Sequence, residues 1–375
     1  MKLYQVNYFV FLGLGVISAI LPKLFFETDS VGIDEYGKHS FRKPHFISLL
    51  AFFGSAIMTV PYIIKKLKFG DSDPSYYTNG SFLKLLGKIA IVAIFEIFST
   101  LFMNVGLLDL PISSWQVLRG SMPIFSSVLS TLFLKETLEP YQWMGISMNF
   151  LSIVVICFYL FYSRPNHTLY ESGLSIILTL LSQFFQAIQY LLEMLFFSES
   201  HYSSEMVIGV EGSVSSIFEI LIFFPIVHNT KSIEGNGIHE DALDSFLMIK
   251  NSSLLFYLSI AYPIVVFLYV FMGTSVVSLT KAVSRTALSS LRTVMIIIVQ
   301  IVFYYGGNNR IGVEFNVLSL FELIGLIILI FGIMIYEGLF KLPFFSYPQD
   351  SQSDSFEGLI DNTAPLVLQN NISIY

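Results

Sequence analysis

Apolar residues occupy this chain in long unbroken runs separated by short polar stretches. A helix needs about 20 residues to cross a ~30 Å hydrocarbon core. Runs of that length fall near 5–26, 45–64, 84–107, 112–134, 141–162, 173–197, 205–227, 254–275, 279–304 and 316–340. The pattern predicts ten membrane-spanning helices. Continuously apolar runs without ten-residue alternation favour helices over a barrel. The first run, Tyr4 to Phe26, reads as a retained helix, because it is long and no small-residue cleavage site precedes a polar start.

Two of these runs share a core. Leu118-Arg119-x-x-Met122-x-Ile124 in one half matches Leu291-Arg292-x-x-Met295-x-Ile297 in the other, and the helix after each opens similarly, Gln142-Trp143-Met144-Gly145 against Glu322-Leu323-Ile324-Gly325. The second copy has a longer intervening loop, holding Gly306-Gly307-Asn308-Asn309-Arg310. Five spans per half is an odd number, so the copies must insert with opposite topology. The expected architecture is an all-α integral membrane protein of two inverted five-helix repeats, residues 1–164 and 165–343, with an acidic, disordered cytoplasmic tail at 344–375. Inverted repeats place a solute site near the midplane, served by rocking of one half against the other.

The polar connections orient these spans. Lys65, Lys66, Lys68, Lys84 and Lys88 form the densest basic cluster and are assigned to the cytoplasm. Both termini then share that side, and the sequons at Asn166 and Asn251 face the lumen or exterior, unlike those at Asn79 and Asn371. The longest loop, 228–251, ends in a segment with acids in its first turn and apolar residues at Ile238, Ala242, Phe246 and Ile249. That spacing predicts a short helix lying on the membrane surface, as an amphipathic brace or as a binding element.

Composition agrees and excludes several functions. The 375 residues are 54% hydrophobic, 16% aromatic and 13% charged, with mean hydropathy +0.70, too apolar for a soluble domain. A net charge of −7 offers no patch to neutralise phosphates, so nucleic acid is not an expected partner. One cysteine, Cys157, excludes an internal disulfide and reads as a packing residue. The six histidines, His39, His45, His167, His201, His228 and His239, show no metal-binding spacing, and Gly13-x-Gly15 lies within a membrane helix without the strand-to-helix context of a dinucleotide site. Neither an enzyme nor a cofactor is expected. The bilayer and a small-molecule solute are the expected partners, with a homodimer left open.

Charged residues inside spans are the candidate functional groups, since an arginine at a helix centre costs about 2.5–3.5 kcal/mol by insertion scales. Arg119 and Arg292 either clamp an anion or pair with intramembrane acids. Glu96, apolar on all sides, is a proton-coupling carboxylate or a partner for Arg119; Glu211, before Gly212, suits a cavity wall, and Glu219 lies two turns on. Gln183, Gln186, Tyr190 and Glu193 fall on one stripe of the sixth helix, as cavity lining or as interhelix glue, with Glu193 near a solvated end. Gln116 is a further candidate for solute binding, although it, Asn104 and Asn149 also suit packing hydrogen bonds. Lys281 and Arg285 attract an anion at the cavity mouth or anchor the helix at the interface.

Several stretches carry a family resemblance. Ser113-Ser114-Trp115-Gln116-Val117-Leu118-Arg119-Gly120 followed by Ile124-Phe125 resembles the central helix of the drug/metabolite transporter superfamily, specifically its nucleotide-sugar-transporter-like solute carriers, family 35 subfamily F. Gln186-Ala187-Ile188-Gln189-x-x-Leu192-Glu193, Glu211-Gly212, Glu240-Asp241-Ala242-Leu243-Asp244-x-Phe246, and Thr280-Lys281 through Ser290-Leu291-Arg292-Thr293 resemble the same subfamily. The resemblance implies a ten-helix EamA-like fold with a central cavity, and a solute carrier of endomembranes: lysosome, endosome, vacuole or Golgi. The Phe-Tyr-Asn-Asn and Gly-Ala-Leu-Asn-Lys motifs of Golgi nucleotide-sugar carriers are absent. A neighbouring branch, resembling the chloroquine-resistance transporters, moves amino acids, peptides and cationic drugs, but its luminal cysteine pairs are absent too.

The expected function is a secondary transporter moving a small polar metabolite, a nucleotide sugar or other anion, by alternating access. The alternatives are an exporter of amino acids, peptides or cationic drugs from an acidic organelle, and a non-transporting scaffold displaying the acidic tail.

Overall fold

The computed structural model describes residues 3–69, 79–135, 137–163, 169–197, 203–230, 232, 234–279, 282–307, 312, 314, 316–345 and 347. Helix dominates them. The helices falling on the expected spans are α1 (Leu3–Phe26), α2 (Pro44–Ala56) with α3 (Thr59–Phe69), α4 (Asn79–Asp109), α5 (Ile112–Arg119) with α6 (Met122–Leu129), α7 (Pro140–Ser163), α8 (Leu169–Phe197), α9 (Ser204–Phe218) with α10 (Phe224–Asn229), then, after the short α11 (Ala242–Asn251), α12 (Ser253–Leu279), α13 (Ala282–Tyr305) and α14 (Ser319–Tyr336). Among the described residues nine segments are long and apolar enough to cross a membrane, and Leu291–Tyr305 is a shorter apolar helix. The chain is an integral, multi-pass membrane protein. Its outer surface is apolar, with Phe150, Leu221 and Val302 more than half exposed, as a hydrocarbon solvent requires. Its interior holds the polar residues.

Three spans that read as continuous are broken, each for a local reason. Span two bends between α2 and α3, where α9 presses its glycines onto the backbone: a Cβ on Gly209 would lie 2.5 Å from the Thr59 nitrogen, and one on Gly212 2.6 Å from the Ala56 nitrogen. Span four breaks after Arg119, because Pro123 near the start of α6 lacks an N–H and its ring clashes with the preceding turn. Span seven carries a π-helical turn, Glu219–Phe223, which turns Glu219 inward, where it is fully buried.

Packing follows a definite scheme. α7 lies along α14, α4 along α8, and α1 along α12; α2 packs on both α9 and α12, α4 on α9, α1 on α13, α6 on α8, and α5 on α13. The two glycines of the sequence match both serve the α7–α14 contact, at separate points: a Cβ on Gly145 would lie 2.7 Å from the Gly332 carbonyl oxygen, and one on Gly325 2.8 Å from Ile156.

One end of the bundle bears a cap. A two-stranded antiparallel hairpin, β1 (Asp29–Val31) and β2 (Lys38–Ser40), links α1 to α2. α11 docks beside it, with Ser30 Oγ donating to the Met248 carbonyl at 2.7 Å and Asn251 Nδ2 to the Val31 carbonyl at 2.8 Å. The helix begins at Ala242, with Asp241 as its N-cap. Of the expected apolar stripe, Ile238 and Phe246 are exposed and Ala242 and Ile249 half-buried, while Asp244, Ser245 and Met248 are buried. Charge on the α2 end draws the polar side inward, as described below. The sequons at Asn166 and Asn371, and the tail from residue 348 on, lie outside the described residues.

Candidate functional site

Both arginines of the matching cores line one internal cavity of about 60 Å³, together with Gly15, Asn104, Trp115, Tyr262 and Tyr269. Arg119 is the last residue of α5, so its guanidinium benefits from the negative end of a half-helix dipole. It is 8% exposed. Nη1 reaches Gln116 Oε1 at a long 3.4 Å, the guanidinium lies over the Trp115 ring 4.8 Å from its centroid, and Nε and Nη2 have no hydrogen-bond partner. Among the described residues Arg119 has no carboxylate partner. The ion pair with Glu96 considered from sequence is not formed.

Arg292 approaches from α13 and donates from Nη1 to the Tyr269 hydroxyl at 2.6 Å. Phe11 stacks on Tyr269 at 4.9 Å and 7°, fixing the phenol. The charges of Arg119 and Arg292 feel one another, so their repulsion favours an anion between them. Gly15 is the close-approach point of α1, where an added Cβ would lie 3.0 Å from both Arg292 Cδ and Tyr269 Cε2.

The remaining candidates separate into other places. Gln116 meets Arg119 but not the cavity surface. Gln183 donates to Ser182 Oγ at 3.1 Å, and Gln186 is buried; neither lines the cavity. Glu96 accepts from Ser215 Oγ at 2.5 Å, joining α4 to α9. Glu211 accepts from Gln189 Nε2 at 2.9 Å, and the same amide nitrogen reaches Glu193 at 3.1 Å. Glu96, Glu193 and Glu211 therefore make a buried acidic group on α4, α8 and α9, within electrostatic reach of one another. Glu193, expected at a solvated end, is fully buried. Asn104 donates to Ser48 Oγ at 2.8 Å, whereas Asn149 is buried with neither side-chain polar atom hydrogen-bonded. Lys281 lies outside the described residues, as does the side chain of Arg285.

Sequence reading missed two further polar anchors of the bundle. Glu322 accepts from Ser113 Oγ at 2.7 Å and Ser114 Oγ at 2.5 Å, holding the start of α5. Lys23, at the end of α1, donates to the carbonyls of Leu107 and Leu108 at 3.1 and 2.8 Å, satisfying carbonyls that the end of α4 leaves open. A helical period reveals that such residues lie within a span; their partners, tens to hundreds of positions away, have no sequence signal.

The cap holds a third polar cluster. α2 starts at Pro44 with no side-chain cap from Lys43, and the Glu240 carboxylate supplies it, accepting from the backbone N–H groups of His45 and Phe46 at 2.8 Å each. Lys43, wholly buried, donates to Asp244 at 2.6 Å and to Glu234. His45 Nδ1 lies 2.7 Å from Glu219. Burial pushes the Glu240 carboxyl up to about 7, against the opposing pull of His45, Lys43 and the two N–H groups. Burial acts the same way on Asp244, but the Lys43 bond, the Ile33 N–H and the charges of Lys43 and His39 outweigh it and leave that carboxyl below its ordinary value. The described residues contain no group of three metal-ligating side chains.

Residues 8–158 match the EamA-like transporter family. The chain is 28% identical over 333 residues to solute carrier family 35 member F6 of Rattus norvegicus, covering 87% of this chain and 86% of that one. It is 29% identical to the Homo sapiens protein of the same name over 81% of this chain and 80% of the other. An uncharacterized protein of Schizosaccharomyces pombe is 26% identical, with 79% of this chain and 87% of the yeast protein covered.

Proposed function

From the match of residues 8–158 to the EamA-like transporter family and the similarity to family 35 solute carriers, we propose that the chain is a transporter of this kind, carrying a small anionic metabolite, of which a nucleotide sugar is one example, by alternating access across an endomembrane. The observation that carries this reading is Arg119: a buried guanidinium beside a second arginine, with two donors unfilled and no carboxylate among the described residues to neutralise it. Leaving such a group unpaired is costly, and an anion accepting from Nε and Nη2 in the bidentate geometry of carboxylate or phosphate removes the cost.

The packing scheme supports two repeats, 1–164 and 165–343. Exchanging spans one to five with six to ten turns α1 on α12 into α8 on α4, α2 on α12 into α9 on α4, and α1 on α13 into α8 on α6; α2 with α9, α5 with α13, and α7 with α14 each join a span to its counterpart. Each repeat brings one arginine to the shared cavity. About 60 Å³ holds a few waters, whereas solute sites run to about 300 Å³ or more, so this conformation is contracted and must open to load. With the basic cluster at 65–88 in the cytoplasm, the termini share that side and the cap faces the lumen.

A second reading, an exporter of amino acids, peptides or cationic drugs from an acidic organelle, draws on the buried carboxylates Glu96, Glu193 and Glu211, of which Glu96 or Glu211 would bear a coupling proton. Reconstituted flux separates the readings. Arg119→Ala and Arg292→Ala should abolish anion flux at normal abundance and melting temperature. Loss of folded protein instead would make the arginines structural, and flux of cations surviving both changes would favour the exporter.

A further inference from the structure

Four of the six histidines, scattered through the sequence, converge on the cap, and each meets a carboxylate. His39 lies 3.0 Å from Asp244, His45 2.7 Å from Glu219, His228 3.6 Å from Asp241, and His239 3.4 Å from Glu234. Three of these acids, with Glu240, belong to one segment, 234–244, which lies across the start of the second span. Gly235 and Gly237 take left-handed backbone there, and the flat run this permits seats Gly237 on Val105 and Leu108 at the end of α4.

Beneath the segment stands an aromatic column. Tyr262, on the cavity wall, makes an edge contact with Phe25; Phe25 meets Phe41, Phe41 meets Phe46, and Phe46 meets Phe246 of α11, with centroid separations of 5.7 to 6.2 Å. Phe25 and Phe41 are fully buried. The column fills the way from the cavity to the cap, and Phe41 and Phe46 flank the residues, Lys43 and His45, that the segment holds.

We propose that segment 234–244 is a proton-responsive latch: docked on the start of α2 it keeps the aromatic column closed over the cavity, and its release opens that face. The charged groups around Glu240 come from several elements. Glu240 faces Lys43 and His45 from α2; His45 also faces Glu219 from span seven; Lys43 also faces Glu234 and Asp244, and His39 of β2 reaches Asp244. His228 and His239 face Asp241 and Glu234 within the loop. Glu240, wedged against the start of α2 and accepting from the His45 and Phe46 amides, loses the cost of a buried charge when it takes a proton. Through Glu240 the docked form therefore binds more protons than the released form, so acid closes the latch and neutral or alkaline pH loosens it. Asp244 does not oppose this, since it stays ionised throughout that range.

The consequence for transport rests on the alternating-access reading, but docking itself is measured without solute. Hydrogen exchange of the full chain in lipid nanodiscs, corrected for intrinsic rates, should show the His45 and Phe46 amides exchanging at least about tenfold faster at pH 8 than at pH 5.5, as linkage requires for a carboxyl held near 7 when docked and near 4.5 when free. Amides within α7 should not change. Glu240→Gln, which keeps an acceptor but not the titration, should reduce the dependence, and His45→Gln, which removes a facing cation, should move its midpoint to higher pH. Arg119→Ala should leave it intact, which separates this test from that of the anion site. Equal protection of the two amides at both pH values in the wild type overturns the latch, as does a dependence undiminished in Glu240→Gln or an unmoved midpoint in His45→Gln.

Discussion

The Arg119 guanidinium rests over the Trp115 ring, 4.8 Å from its centroid, and the ring is itself fixed by a 3.1 Å bond from Nε1 to the Met103 carbonyl. A buried cation is thus oriented by a π face and a helix end, which leaves its hydrogen-bonding edge available to a ligand. A desolvated cation–π contact is worth about 2 kcal/mol. Trp115→Leu should therefore weaken anion affinity by an order of magnitude or more, while Trp115→Phe, which keeps a ring, should weaken it less. Equilibrium binding of the purified variants checks the order.

Tyr269→Phe removes one hydroxyl and leaves the stack on Phe11 in place. Hydrogen bonds to charged groups contribute about 1.5–3 kcal/mol. If the phenol orients Arg292 for the solute, affinity should fall about tenfold with little change in melting temperature. An unchanged affinity in a titration of the variant would remove Tyr269 from the site.

Gly15 tests the geometry sterically. A valine there would push on Arg292 Cδ and Tyr269 Cε2, both already 3.0 Å from an ideal Cβ, and would project into a cavity of about 60 Å³. The variant should fold and lose solute binding. Alanine should do so partially, and flux assays on both variants give the ranking.

The Lys43–Asp244 pair is a stability element, with both side chains fully buried. Removing one partner of such a pair costs about 3–5 kcal/mol, so Asp244→Asn should lower the melting temperature markedly. The pH dependence has a definite sign. The folded Asp244 carboxyl lies below its ordinary 3.8, so its contribution is present above that pH and disappears as pH falls through the lowered value. Thermal melts from pH 3 to 6 should show this acid-side loss in the wild type and its attenuation in Asp244→Asn.

The membrane architecture was legible because a hydrocarbon solvent imposes one requirement on every span, and the run lengths record it. The Leu-Arg cores were legible because a charge in such a run is conspicuous, and both arginines line the cavity. Breaks at Met58, Gly120 and Glu219 were not legible, since they arise where a neighbouring helix presses on the backbone or where a local turn re-aims one side chain. The α11 stripe was legible as a helical period, but the partner that buries its polar side was not: Asp244 turns inward to Lys43, 201 positions away. Glu193 and Glu240 are the same lesson in opposite places, one thought solvated near a span end and one in a surface helix, both buried by partners far away in sequence.

Ligand-induced thermal stabilisation of the purified protein, wild type beside Arg119→Ala, is the most direct measurement of the central claim, because only ligands that bind the native state raise the midpoint. Screened against nucleotide sugars, nucleotides, amino acids, short peptides and basic amphiphiles, the wild type should be stabilised by an anion, and that shift should vanish in Arg119→Ala. Stabilisation by cationic compounds alone, or an anion shift that survives the substitution, would contradict the arginine-lined anion site.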